Sequence, residues 1–263
     1  MAEFIGTDEQ TAIQKRLFER QVWIKDAPDI SNGGRVLNFL DVETTGWDRI
    51  IALTHQDGIA GFTAVDLKTM TETLVTKFGP DWKMPHWDVF LGDAQAVLAA
   101  SRAAIKSSPL PDGWRIETLA TPSDTQIDEI QQVNMANGVA PSPAYYLRGD
   151  IFPHFSTCIW NDEGIMVATS AASARYHPEG RFAEHLFEGS VAVSAACRGM
   201  GLGRRVNAQV LVDSYDMIAW KTALAQVQPD NAPSRAMIDA CGLDNRDGLV
   251  TIAVNKLKGT FTR

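Results

Sequence analysis

The sequence has few cysteines, no long apolar run and no excess of basic residues, and each absence excludes a class of protein. Its three cysteines include no CxxC pair, which argues against a disulfide framework or a zinc site. No apolar run approaches the length of a membrane span. The segment MAEFIGTDEQ has neither the basic nor the apolar region of a signal peptide. We therefore expect a cytoplasmic protein without a bound metal.

Acidic residues outnumber basic residues throughout the chain. The 263 residues carry 24 Lys and Arg against 32 Asp and Glu, a net charge of −8. Residues 1–110 contribute 11 − 15 = −4, and residues 111–263 contribute 13 − 17 = −4. Proteins that bind a phosphate backbone need a basic surface. We therefore expect neither nucleic acid nor a membrane as a partner.

A linker-like segment divides the chain. The stretch KSSPLPDGW at residues 106–114 combines serine, proline and glycine between a helical pattern and a strand-like pattern. It predicts an N-terminal domain at residues 1–109 and a C-terminal domain at residues 110–263. Both read as mixed α/β, and the C-terminal order is β-α-β-β-β-α-β-α-β.

The stretch CRGMGLGRRVN at residues 197–207 lies between a strand-like run and a helical run. It lacks the Gly-Lys-Ser/Thr ending of a Walker loop and the third glycine of a dinucleotide fingerprint. It does fit [Gln/Arg]-x-x-Gly-x-[Gly/Ala], with Arg198, Gly201 and Gly203 at the fixed positions. Glycines let backbone N–H groups converge on an anion, and a following helix adds its dipole. The alternative is a plain tight turn between a strand and a helix.

A second stretch, NAPSRAMIDACGL at residues 231–243, follows the next predicted strand. Together with VAVSAACRGMGLG it resembles the GNAT acyltransferase superfamily, over roughly residues 113–263. The apolar pair Val191 and Val193 matches the strand before the family's glycine turn, five residues ahead of Arg198. The resemblance implies an α/β (α+β) fold, in which a mixed, mainly antiparallel sheet is flanked by helices, beside a smaller N-terminal α/β domain.

The resemblance also implies acetyl-CoA as cosubstrate and transfer of its acetyl group to the primary amine of a small molecule or amino-acid-like acceptor. The acetyl group would move by direct attack in a ternary complex. The implied CoA-binding residues are Val191, Ala192, Val193, Arg198, Gly199, Met200, Gly201, Leu202, Gly203, Arg204, Asn231 and Ser234.

Glu188 is the first candidate for the general base, because the family often carries a Glu on this strand, and Glu184 is the second. His185 is a further alternative. This sequence departs from the family pattern at the residue that protonates the leaving thiolate. The family's usual tyrosine position holds Ile238 here. This departure motivates an alternative function, a catalytically impaired acyl-CoA-binding sensor or scaffold.

The acceptor pocket is expected around SPAYYLRGD and SARYHPEGRF. Candidate lining residues are Tyr145, Tyr146 and Tyr176, and Arg148 and Arg181 are candidates for gripping a carboxylate. The N-terminal half carries no motif of its own. We interpret it as a degenerate GNAT-like module that does not bind CoA and that shapes the acceptor site or mediates a homodimer.

Overall fold

The computed structural model describes residues 2–256. Within that range the chain forms nine α-helices, a 3₁₀ turn at Ala195–Cys197 and one ten-stranded sheet. The helices are α1 Asp8–Ile24, α2 Val42–Thr45, α3 Trp47–Asp57, α4 Leu67–Phe78, α5 Ala94–Ser107, α6 Asp124–Ala136, α7 Ala144–Leu147, α8 Leu202–Ile218 and α9 Ala232–Ala240. The strands are β1 Ile30–Asn32, β2 Leu37–Phe39, β3 Ile59–Asp66, β4 His86–Asp93, β5 Arg115–Leu119, β6 His154–Trp160, β7 Met166–Ser173, β8 His185–Val193, β9 Thr222–Val227 and β10 Asp244–Asn255.

The strands lie in the order β1-β2-β3-β10-β4-β9-β8-β7-β6-β5. The pairs β2–β3 and β8–β9 are parallel, and the other seven pairs are antiparallel. The mainly antiparallel sheet expected from the resemblance is therefore confirmed.

Local sequence accounts for where several helices begin. Asp66 accepts a hydrogen bond from the N–H of Thr69 at the start of α4, and Asp93 accepts one from Ala96 at the start of α5. Ser123 forms a capping box with Gln126 at the start of α6. Such caps satisfy backbone N–H groups that have no partner within the helix. These helix starts are therefore readable from the sequence alone.

The last strand, β10, returns to the N-terminal half of the molecule. It pairs with β3 on one side and β4 on the other, both antiparallel. Its residues Val250, Ile252 and Val254 are buried in the same apolar core as Phe62 and Leu74. The N-terminal core is therefore completed by a segment that is distant in sequence.

Elements of the N-terminal half likewise pack with elements of the C-terminal half. Strand β4 pairs with β9 from Asp88–Val227 to Asp93–Thr222. Phe90 of β4 and Val97 of α5 are buried in a core that includes Leu211 of α8. The predicted boundary at residues 109/110 falls between α5 and β5, but the two halves share one sheet. Whether each half folds alone stays a prediction.

Within the described residues, every helix and strand expected from periodicity is present. The sequence reading missed β1, α2 and α7, which are three to four residues long. An element this short covers about one helical turn or fewer than two strand repeats, so it leaves no periodic pattern.

Candidate functional site

Strands β8 and β9 diverge in the middle of the sheet. Their parallel register joins His185–Phe187 to Thr222–Leu224. Beyond it, a cavity of about 160 Å³ separates residues 188–191 of β8 from residues 225–227 of β9. We call it the splay cavity. Diverging parallel strands leave backbone groups that face each other without pairing, so the gap can receive an extended ligand.

The splay cavity joins two other spaces, one at each end. Towards the surface it meets the glycine-turn cleft, of about 780 Å³, which is lined by the turn at 197–204. Towards the interior it meets the arginine pocket, of about 170 Å³, which includes Arg35 and Arg175. Val191, Asn231, Ser234 and Met237 line both the cleft and the cavity. Trp87, Val139, Gly189, Ser190 and Gln226 line both the cavity and the pocket. The three spaces therefore form one continuous route.

The glycine turn presents backbone N–H groups to the cleft. Gly201 is the N-cap of α8, with φ of +76°, and no side chain caps this helix. Gly199 has φ of +82°, and a Cβ built there would meet nothing within 4 Å. The first N–H groups of an α-helix have no partner inside the helix and lie at the positive end of its dipole. The turn is therefore suited to bind an anion such as a phosphate group.

Arg198 and Arg204 add positive charge to the same cleft, and both line it. The Arg198 guanidinium donates to the carbonyl of Val193 (3.4 Å) and to Oδ1 of Asn137 (3.2 Å). Arg204 Nε donates to Oγ of Ser108 (3.1 Å). Met200, predicted as a CoA-binding residue, does not line the cleft, because its side chain points to solvent and is 47% exposed.

The end of β8 turns its backbone towards the cleft. The N–H of Ser194 donates to Val167 in β7 (2.8 Å). The carbonyl of Val193 instead accepts the bond from Arg198. Because successive residues of a strand direct their backbone groups to opposite edges, Val191 and Val193 face the diverging side. Ser190 has φ of +57° at a bulge against β7, which re-aims this segment.

Helix α9 closes the other side of the route. Asn231 caps it by accepting a hydrogen bond from the N–H of Ser234 (3.1 Å). Both residues line the cleft and the splay cavity, as does Met237. Ile238 lines the cavity and is buried. The position that holds the family's tyrosine is therefore apolar and faces the predicted reaction site.

Glu188 lies in the wall of the splay cavity and is 0% exposed. The Asn207 amide lies near the carboxylate but outside the geometry of a normal hydrogen bond. Burial raises the pKa of Glu188 to about 8, with a smaller opposing contribution from the Asn207 amide. Burial likewise raises the pKa of the neighbouring Cys241 thiol to about 12. A carboxyl whose pKa lies near 8 can take up and release protons close to neutral pH.

The second candidate base, Glu184, lies elsewhere, which corrects the expectation. Its carboxylate forms an exposed ion pair with Lys221 (2.8 Å), and the residue has φ of +61° ahead of β8. It lines none of the three spaces. His185 is absent from their linings too. Alternation along β8 points Glu188 inward, and Glu184 precedes the strand.

The tyrosines separate into one pocket residue and two core residues. Tyr146 lines the arginine pocket, and its hydroxyl lies 3.3 Å from Oγ of Ser173. Tyr145 is 0% exposed and packs against Phe18 at 4.9 Å between ring centroids. Tyr176 packs against Phe182 in another core. Tyr145 and Tyr176 therefore do not line the pocket, because the chain turns their rings into the protein.

The two arginines proposed to grip a carboxylate are also elsewhere. Arg148 is paired with Glu3 (2.8 Å) and Asp150 (3.0 Å). Arg181 donates to the backbone carbonyl of Ala64 (3.1 Å). The pocket instead contains Arg35 and Arg175, which the sequence reading missed. No local motif marks them, since one lies between β1 and β2 and the other follows β7.

Within residues 2–256 we find no helix that is long and apolar enough to cross a membrane. The same residues contain no group of three or more His, Cys, Asp or Glu side chains suited to hold a metal ion.

Comparison of the chain with known proteins identifies a family. Residues 125–243 match the acetyltransferase (GNAT) family model. This part of the chain is therefore a GNAT domain, and the resemblance noted from its motifs is confirmed. It contains the turn, β8 with Glu188, and α9. Comparison with curated proteins gives no match.

Solved structures share the fold over most of the chain. A GCN5-related N-acetyltransferase from Kribbella flavida is 14% identical with a TM-score of 0.56, over 86% of this chain and 80% of that one. A tandem GNAT protein from the clavulanic acid biosynthesis pathway is 14% identical with a TM-score of 0.55, over 87% and 78%. A Drosophila protein is 15% identical with a TM-score of 0.60, over 96% and 91%. The shared fold therefore includes both halves.

Proposed function

We propose that the protein is an acetyl-CoA-dependent N-acyltransferase. It moves an acetyl group to the primary amine of a small molecule or amino-acid-like acceptor in a ternary complex. One observation carries the proposal. Glu188 lies in the middle section of a continuous route that has an uncapped helix start at one end and the arginine pocket at the other. Thioester and amine would therefore meet beside a carboxyl group suited to proton transfer.

The glycine turn, Arg198 and Arg204 would hold the pyrophosphate of CoA in the cleft. The diverging edge of β8 would bind the pantetheine arm, and the N–H groups of Val191 and Val193 would polarise the thioester carbonyl. Asn231 and Ser234 would line the opposite side. Acetyl-CoA would supply the activated acyl group.

Glu188 would take one proton from the acceptor ammonium, which frees the nitrogen lone pair. The C–N amide bond then forms as the C–S thioester bond breaks, and the second amine proton passes to the departing sulfur. A cysteine thiol has a pKa of about 8.5, and an alkyl thiolate is likewise a weak enough base to serve as the leaving group. Ile238 in place of a tyrosine is compatible with such a reaction.

Two measurements on the full chain test this function. Calorimetric titration should show binding of acetyl-CoA, and a thiol assay should show release of CoA that depends on an added amine. Absence of acetyl-CoA binding would overturn the proposal. We further propose a cytoplasmic location.

A second candidate function is a CoA-binding sensor or scaffold without catalysis. Ile238 favours it, because no tyrosine lines the splay cavity among the described residues. Tight binding of CoA without turnover over a broad panel of amines would support this candidate over the enzyme.

A further inference from the structure

Helix α8 carries a polar amide on its buried face. Asn207 is 0% exposed and lies three and four residues before the buried side chains of Val210 and Leu211, which places all three on one side of the helix. Its Oδ1 accepts a hydrogen bond from Oγ of Ser170 in β7 (3.0 Å), and its Nδ2 donates to Sγ of Cys241 (3.7 Å). Sulfur is a weak acceptor. The buried amide therefore has a good partner for its oxygen and a poor one for its nitrogen.

Strand register places Glu188 beside this amide. Glu188 of β8 lies directly opposite Ala172 of β7. Facing residues of an antiparallel pair point to the same side of the sheet, and so do residues two apart along a strand. Ser170, Ala172 and Glu188 therefore share the side on which α8 packs. The bond from Ser170 thus holds the Asn207 amide next to the carboxyl group.

The other groups around Glu188 are poor donors for a carboxylate. Burial raises the pKa of the Cys241 thiol to about 12, and the charge of Arg204 on α8 acts on this thiol more weakly. The adjoining residues of β7 and α5 are alanine and serine. Among the residues that the structure describes, no charged side chain other than Glu188 lines the splay cavity. A buried carboxylate needs a hydrogen-bond donor when it ionises, and Nδ2 of Asn207 is the one placed beside it.

We infer that Asn207 is a positioning residue for the general base: its Nδ2 donates to the Glu188 carboxylate in the ionised form that takes the proton from the acceptor ammonium. Ser170 occupies Oδ1 and so keeps Nδ2 turned towards the carboxylate. The inference deepens the proposed function and rests on it for the role of Glu188. Because this bond stabilises only the charged form, its removal should move the ionisation of Glu188 to higher pH.

Two variants of the full chain test the contact. Asn207→Leu removes the donor and keeps the number and branching of the heavy atoms. In this variant the pKa of Glu188 should rise by about one unit or more, as for the loss of a hydrogen bond to a charged group. Ser170→Ala is a smaller change and should raise the same pKa, because the amide loses the bond that orients it. Carbon-13 NMR of labelled glutamate carboxyl groups measures the titration, and Glu188→Gln identifies the signal.

Asn134 provides a matched control on the same strand. It is a buried residue of α6, and its Oδ1 accepts a hydrogen bond from Oγ1 of Thr169, the neighbour of Ser170 (2.8 Å). Successive strand residues point to opposite faces, and Asn134 lines none of the three spaces. Asn134→Leu should therefore leave the pKa of Glu188 unchanged. An equal shift in both Leu variants would overturn the inference, because any lost anchor of β7 would then disturb the site.

Kinetics separates positioning from general structural damage. In Asn207→Leu the pH profile of kcat should move upward by the same interval as the NMR titration. For a shift of one unit, kcat at pH 7 should fall about tenfold and recover as the pH is raised, with acetyl-CoA affinity unchanged. A purely structural role would instead lower kcat by the same factor at every pH, and this result would overturn the inference.

The outcomes separate the two proposals. An unshifted pKa of Glu188 in Asn207→Leu or in Ser170→Ala would overturn the inference, and acetyl transfer by the wild type would leave the proposed function standing. If Asn207→Leu does not fold, Ser170→Ala alone decides. Absence of acetyl-CoA binding, or of transfer to any amine, would overturn the proposed function and with it the positioning role. The NMR titration needs no turnover, so it would still show whether Asn207 contacts the ionised carboxylate.

Discussion

Ala64 in β3 and Ser190 in β8 share a left-handed backbone conformation, with φ of +52° and +57°, at a bulge in a strand that leads to a helix. The two strands then differ. β3 passes directly into α4, whose start is capped by the Asp66 carboxylate. β8 instead enters the glycine turn before the uncapped α8. The N-terminal half therefore has a bulged strand that leads into a helix, but it lacks the glycine turn that precedes α8.

The first prediction is that one chain binds about one acetyl-CoA. In the N-terminal half, Asp66 occupies the helix start where a phosphate would bind, and β10 fills the space between β3 and β4. Calorimetric titration measures the stoichiometry. Asp66→Ala should leave it unchanged, whereas two molecules bound per chain would contradict this account of the N-terminal half.

The second prediction concerns Gly199. Gly199→Val should weaken acetyl-CoA binding by tenfold or more, because a branched side chain disfavours φ of +82° and would project into the cleft. Gly164→Val is the control. Gly164 has φ of +78° with open space around its Cβ position, but it lies in the β6–β7 hairpin. Both variants should lose about 1–2 kcal/mol of stability, and only Gly199→Val should lose affinity.

The third prediction concerns catalysis by Glu188. Glu188→Gln should lower kcat by about 10²–10⁴-fold, the usual contribution of a general base, with little change in acetyl-CoA affinity. In the wild type, kcat should rise with pH to a plateau above about pH 8, since the pKa of Glu188 is raised to about 8. A steady-state pH profile measures this. The rise should be absent in Glu188→Gln and retained in Glu184→Gln, whose side chain is exposed.

The fourth prediction links the same residue to stability. The pKa of Glu188 is about 8 in the folded protein against 4.5 for the unperturbed side chain, so the folded state binds its proton more tightly. The stabilisation of the folded state that comes from this tighter proton binding is fully present below pH 4.5. It is lost as the pH rises to 8. Relative to wild type, Glu188→Gln should therefore gain stability over this interval, on the order of 3–5 kcal/mol by pH 8. Urea unfolding at several pH values measures it. A constant difference between the proteins would contradict the assignment.

The fifth prediction concerns the interlocked halves. Residues 1–109 expressed alone should not fold, because β3 and β4 then lack β10 between them. Val250, Ile252 and Val254 are also missing from their core, and each buried side chain contributes about 1.5–3 kcal/mol. Circular dichroism and NMR of the fragment measure its folding. Adding residues 110–263 in trans should restore the structure, whereas a folded isolated fragment would show two independent domains.

The site was predictable where its chemistry is encoded in short segments. Three features lie within about 60 residues of one another in the sequence: Glu188, the glycine turn and the Asn231 cap. The structure places all three along one route. The acceptor side was not predictable. Arg35 and Arg175 are distant in sequence, and Tyr145 and Tyr146 are neighbours that point to different environments.

The sequence by itself determined most of the helices and strands, the turn chemistry and the candidate base, because capping, periodicity and glycine conformation are local properties. Tertiary structure alone decided that β10 lies between β3 and β4, that Glu184 lies outside the site and that two arginines from different halves share a pocket. These outcomes depend on strand pairing and core packing between distant segments, which no local pattern specifies.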